Sequence, residues 1–79
     1  MELYDIVTFD NKDYAIAQQV FYNDKEYLLL IEVDENEDLL EEKLIVEKVT
    51  TANGYGIKNI KYAEIYKEVK SRIVDLLLN

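Results

Sequence analysis

The residues with the most chemical capacity lie between Ile31 and Val49, in the stretch IEVDENEDLLEEKLIVEKV. Two apolar, strand-like flanks enclose six carboxylates: Asp34, Glu35, Glu37, Asp38, Glu41 and Glu42. Four chemistries are open to such a stretch: a metal loop, an acid–base site, a charged contact for a basic partner, or a solvated connection. A calcium loop of the EF-hand kind needs oxygen ligands at positions 1, 3, 5 and 12 and a glycine at 6. Counted from Asp34, positions 3 and 5 are Asn36 and Asp38, but position 6 is Leu39 and position 12 is Ile45. The loop therefore fails at its turn and at its bidentate ligand. A carboxylate pair for glycosidic or proton-transfer work needs a cleft that drives the two acidities apart, and the pattern here is that of an exposed connection. The solvated connection is the plainest reading, and the contact for a basic partner is the one that carries a function.

Other catalytic routes are closed by composition. The chain has no cysteine and no histidine, which removes thiolate chemistry, the usual near-neutral proton shuttle and the commonest ligands of structural zinc. The one serine, Ser71, has no histidine to activate it. Gly54-Tyr55-Gly56 sits in neither a phosphate-loop nor a dinucleotide-binding pattern. The expectation is a protein that is not an enzyme and uses no cofactor or metal.

Seven tyrosines are many for this length: Tyr4, Tyr14, Tyr22, Tyr27, Tyr55, Tyr62 and Tyr66. Tyrosine is enriched in binding hot spots, but it also suits a half-buried sheet. Most are expected in the core or at its edge. Tyr55, at a turn, is expected to be exposed and joins the six carboxylates as a candidate contact residue.

A chain of 79 residues is one small domain, 1–79, with a small core and modest stability. The net charge of −8 is unevenly spread: residues 1–42 hold thirteen carboxylates against two lysines, and residues 43–79 hold seven basic groups against four acids. Lys58, Lys61, Lys67, Lys70 and Arg72 gather near the C-terminus, where they are read as a complement to the acidic half. An acidic field disfavours direct contact with nucleic acid or an anionic membrane and favours a basic protein partner. Met1 and Glu2 open on no signal-peptide pattern, and the longest aliphatic run, Leu28–Ile31, is far short of a bilayer span. A cytoplasmic setting is expected.

The elements that must position these residues follow from period and turn chemistry. Leu3–Phe9 reads as a strand, Asp10–Lys12 as a turn, Asp13–Tyr22 as a strand with Tyr14, Ile16, Val20 and Tyr22 on one side. Asn23–Lys25 is a second turn. Glu26–Val33 is a strand with apolar groups on both faces, as for a central strand covered on both sides. Lys43–Thr51 is a fourth strand, Ala52–Gly56 a hairpin turn on Asn53-Gly54, and Ile57–Lys61 a short fifth strand. For Glu37–Glu42 a loop and a helical turn both stay open. From Tyr62 the period changes: Tyr62, Ile65, Tyr66, Val69, Ile73, Leu76 and Leu77 form one apolar stripe of a helix. Glu68 and Arg72 stand in the supportive i,i+4 order, while Val74 and Leu78 project from the other side and could mark weak self-association. The fold class is α+β: a four- or five-stranded antiparallel meander with one C-terminal helix packed on it.

In this order, DIVTF, an Asn/Asp turn, VFYNDKEYLLLIEVDENED, a basic-aliphatic strand, NG and YAEIYKEVKSRI resemble the YrzB-like family of small acidic Firmicute proteins, whose function is unknown. The similarity spans almost the whole chain and is best over Phe21–Asp34. Family members often carry glycine where Asp24 stands and proline near Glu32, and the helix here is more basic. The resemblance implies a cytoplasmic bacterial setting and a small mixed α/β domain, and it carries over no catalytic residues. A monomer or weak homodimer is expected.

Two functions of different class remain. One is a small non-enzymatic protein-binding module. The other is a nucleic-acid mimic, of the kind phages use to inhibit basic DNA- or RNA-handling proteins. A single continuous acidic surface would favour the mimic, whereas acids scattered around turns would favour solvated connections.

Overall fold

The computed structural model describes residues 3–78, except for the side chain of Leu78. Asp10-Asn11 and Asn23-Asp24 each form a two-residue turn in which both residues have positive φ, 54° and 66° in the first and 52° and 64° in the second. Only glycine, asparagine and aspartate enter that region at low cost, and it matches the twist of the flanking strands. These turns set Phe9 opposite Lys12 and Tyr22 opposite Lys25. The result is an antiparallel meander of five strands in sequence order: β1 (Ile6–Phe9), β2 (Lys12–Tyr22), β3 (Lys25–Val33), β4 (Leu39–Thr51) and β5 (Gly54–Asn59). One helix, α1 (Ala63–Leu78), follows. The α+β meander with a C-terminal helix is the fold the pattern implied.

Two strands begin earlier than expected, for one reason. β4 begins at Leu39, four residues early, because Leu39 pairs with Val33 across an irregularity in the β3–β4 ladder. Glu37–Glu42 is therefore neither a loop nor a helical turn throughout: the connection closes at Asp38 and the rest is strand. β5 begins at Gly54, because the β4–β5 loop is only Ala52-Asn53 and Thr51 pairs with Gly54. Gly54 takes φ 133° there, where a side chain would be strained. In both places the chain gains ladder hydrogen bonds that a longer loop would forgo. β1 is shorter than expected: Tyr4, at φ 69°, breaks the strand, although its N–H still donates to the carbonyl of Ile16.

A bulge in β2 decides the core. Ile16 pairs with Leu30 but Gln18 pairs with Leu29, leaving Ala17 extra. One inserted residue reverses which face the following side chains occupy. Tyr14 and Ile16 thus face one way, and Val20 and Tyr22 the other, correcting the expectation that all four share a side. Bulged strands also bend and twist more strongly, and the sheet curls until it is nearly closed. Its concave interior holds Val7, Tyr14, Ile16, Leu28, Leu30 and Val46, with Phe9, Leu44 and Ile57 against them. Every strand contributes to that core.

The convex face carries a second cluster: Val20, Tyr27 and Leu29 of the sheet against Val69 and Ile73 of α1. β3 is buried on both faces, as its two-sided sequence implied. The helix stripe, however, is only partly used. Val69 and Ile73 are buried and Ile65 half-buried, while Tyr62, Tyr66, Leu76 and Leu77 are exposed. A curled sheet is convex toward the helix, so one line of the helix meets it and the flanks of the stripe do not. Arg72 does not pair with Glu68 among the described residues; its guanidinium lies 4.9 Å from the ring of Tyr22. The expectation for Leu78 falls outside the described side chains.

Candidate binding surface

In a meander, alternate turns lie at the same end of the sheet. The β1–β2 turn and the β3–β4 turn therefore meet at one end, and the β2–β3 and β4–β5 turns at the other. The first end collects nine carboxylates: Asp10 and Asp13 beside the first turn, Glu32 near the end of β3, and the six from Asp34 to Glu42. Lys12 and Lys43 are the basic groups there. The sequence separation between Asp10 and Glu42 vanishes because β2 and β3 run away from this end and back again.

Three of the nine are committed to structure. Asp13 accepts a hydrogen bond from the Thr8 hydroxyl at 2.7 Å. Glu32 lies 3.8 Å from the Lys12 ammonium. Asp34 is the organiser of the connection: its Oδ1 accepts the N–H of Asn36 at 2.8 Å and that of Asp38 at 3.0 Å. Its carbonyl also accepts the N–H of Glu37, whose φ of 62° completes the reversal. Asp10, Glu35, Glu37, Asp38, Glu41 and Glu42 are exposed, and among the described residues their side chains make no ion pair or hydrogen bond. Asp10 was missed by sequence reasoning. The signal for it was the meander itself, since two turns separated by two strands must share an end.

Tyr55 lies elsewhere. It pairs with Thr50 next to the β4–β5 turn, at the end opposite the carboxylates. It is exposed as expected, with the Lys48 ammonium 5.5 Å from its ring. Lys48 also reaches Glu26 at 3.1 Å. Of the remaining tyrosines, Tyr14 and Tyr27 are buried and Tyr22 is half-buried, but Tyr4, Tyr62 and Tyr66 are exposed. Fewer tyrosines serve the core than the strand pattern implied, because Tyr4 precedes the ladder and the helix flanks stay open. Among the described residues, Lys58, Lys61, Lys67, Lys70 and Arg72 form no ion pair with the acidic half of the chain that they were expected to complement. Lys58 pairs with Glu47 at 3.8 Å, and Glu47 is shared with Lys25 at the same distance.

No group of three or more acidic side chains among the described residues is arranged to hold a metal, and no helix among them is long and apolar enough to cross a membrane. One titrating group is displaced by its surroundings. Burial raises Tyr27 above its ordinary value of 10.0, and the Glu47 carboxylate and Tyr22 add to the effect. The folded state thus holds the Tyr27 proton more tightly than the unfolded state. That contribution is intact below pH about 10 and is lost as pH rises through the raised folded value. Tyr27→Phe should accordingly lose less stability than the parent between pH about 9 and about 11. Urea midpoints across that interval would measure it, and parallel curves for the two proteins would show that the phenol is not the group responsible.

A scan against protein-family models finds no match for this chain, and neither a search of curated proteins nor one of solved structures finds a match.

Proposed function

We propose that the protein is a small non-enzymatic binding module whose acidic end contacts a basic surface on another protein. The observation that supports this most is that two turns distant in sequence present six uncommitted carboxylates at one end of the sheet. The YrzB-like resemblance is consistent with a cytoplasmic bacterial setting and offers no catalytic residue. A nucleic-acid mimic is the second reading, favoured by the same density of carboxylates. Lys12 and Lys43 break the array, which places the general binding module ahead of it.

The test pairs stability with binding. Replacing Glu35, Glu37, Glu41 and Glu42 together with glutamine should leave the urea midpoint unchanged or raise it, since these groups have no partner to lose among the described residues. The same variant should no longer retain the basic proteins that the parent captures from its host lysate and releases at high salt. An identical captured set from parent and variant would refute the assignment. Release of the captured protein by duplex DNA would point to the mimic.

A further inference from the structure

Beside α1 the convex face is left open as a groove of about 310 Å³, floored by Leu29, Ile45 and Ile73 and walled by Val74 and Leu77. Its rim carries Lys43 from β4 and Lys70 from the helix. Lys70 meets no carboxylate within ion-pair distance among the described residues. Exposed apolar groups stand at and near this groove: Val74 is 43% exposed, Leu77 62% and, further along β4, Leu39 59%. Leu39 pairs with Val33, and Val33 alternates with Ile31 and Leu29 on β3, so Leu39 stands on the same face of the sheet as the groove. It is four residues from Lys43, which places it roughly 10–13 Å from the groove rim.

We propose that this groove is the contact surface of a homodimer, in which Leu39 of each copy enters the groove of the other. An apolar pocket rimmed by lysines calls for an aliphatic side chain flanked by acids. The chain itself displays that segment, Asp38-Leu39-Leu40-Glu41-Glu42, with both leucines exposed. A two-fold contact requires that a surface and its complement lie on one continuous patch, so that each copy gives and receives. Groove and leucine are neighbours on the same face, which meets that requirement. The Lys70 ammonium of one copy then faces Glu41 of the other, which alternation puts on the same face as Leu39 and Lys43, and gains a carboxylate that it lacks among the described residues of its own chain. A stable interface takes about 800 Å² from each partner, about one seventh of the 5772 Å² that this domain exposes. The groove and the Leu39 segment are a small part of that surface, so the dimer should be a weak one.

Sedimentation equilibrium from about 10 μM to about 1 mM chain should show the mass rise from one copy toward two. Val74→Glu and Leu39→Glu should each hold the protein at one copy throughout. Leu76→Glu is the control. Leu76 is 49% exposed but lies on the other flank of the helix, with Gln19, Phe21 and Arg72, and its substitution should leave the dimer intact. Lys70→Glu should weaken association by roughly tenfold or more, and adding Glu41→Lys should restore it. The substituted side chains are exposed, and amide spectra would confirm that each variant is folded. One copy at every concentration would overturn the proposal. So would a dimer that survives Val74→Glu, one disrupted equally by Leu76→Glu, or one indifferent to Lys70→Glu. The groove variants leave Asp10, Glu35 and Glu37 in place, so loss of the dimer and loss of the acidic-end contact are separately visible.

Discussion

Leu30→Ala should lower stability by about 3–5 kcal/mol. Leu30 is completely buried in the interior of the curled sheet, between Ile16 of β2 and Leu44 of β4, which pair with it on either side. Removing its isobutyl group loses the transfer energy of the side chain and leaves a cavity that a nearly closed sheet cannot collapse to fill. A domain of this length holds roughly 4–12 kcal/mol in total, so the variant should be partly unfolded near physiological temperature. Leu40→Ala, at an exposed position on β4, should change stability by less than about 0.5 kcal/mol. Urea unfolding of both variants makes the comparison. A loss below about 1 kcal/mol for Leu30→Ala would mean that the interior is loosely packed and that the helix face alone holds the sheet.

The second large effect concerns α1. Deleting residues 63–79 should abolish the fold. Val20, Tyr27 and Leu29 would be stripped of Val69 and Ile73, and the convex face would present a continuous apolar surface to water. Single substitutions grade the effect: Val69→Ala or Ile73→Ala should cost about 1–4 kcal/mol through lost burial and residual cavity. Glu64→Gln and Lys67→Gln, exposed on the opposite side, should each change stability by less than about 0.5 kcal/mol. An amide spectrum of the truncated chain that stays dispersed and native-like would make the helix a detachable arm. A disordered spectrum would confirm it as part of the core.

The two experiments probe different layers of one sheet, and they separate the contributions of curvature and helix packing. If Leu30→Ala is severe and the truncation mild, closure of the sheet dominates. The reverse order would mean that helix docking contributes more than closure does. The structure, with two distinct clusters on the two faces, leads us to expect both to be severe.

Much of this architecture is written in local chemistry. Asp10-Asn11 and Asn23-Asp24 announce tight reversals because few residue pairs enter positive φ cheaply. Tyr27 to Val33 announces a central strand because apolar groups on successive residues need cover on both sides. The change of period after Tyr62 announces the helix. None of these inferences needs a distant residue, and each is found in the fold. The six carboxylates from Asp34 to Glu42 were likewise visible as a charged stretch, although which of them is structural was not. Asp34 differs from its neighbours only because its side chain lies where two N–H groups converge.

Tertiary structure alone decided the rest. The bulge at Ala17 has no glycine or proline to mark it; it exists because Tyr14 and Ile16 must face the interior while Val20 and Tyr22 must face α1. Its curvature leaves Tyr66 and Leu77 outside a stripe that, read as a helix alone, would have buried them. The joining of Asp10 to the acidic end depends on strand order, a property of pairing between segments rather than of any one of them. Side-chain type and spacing determine which local conformations are cheap, and so they determined the elements of this protein. Which face an element buries, and which charges end up as neighbours, depends on registers between strands, and those are set only when the whole sheet closes.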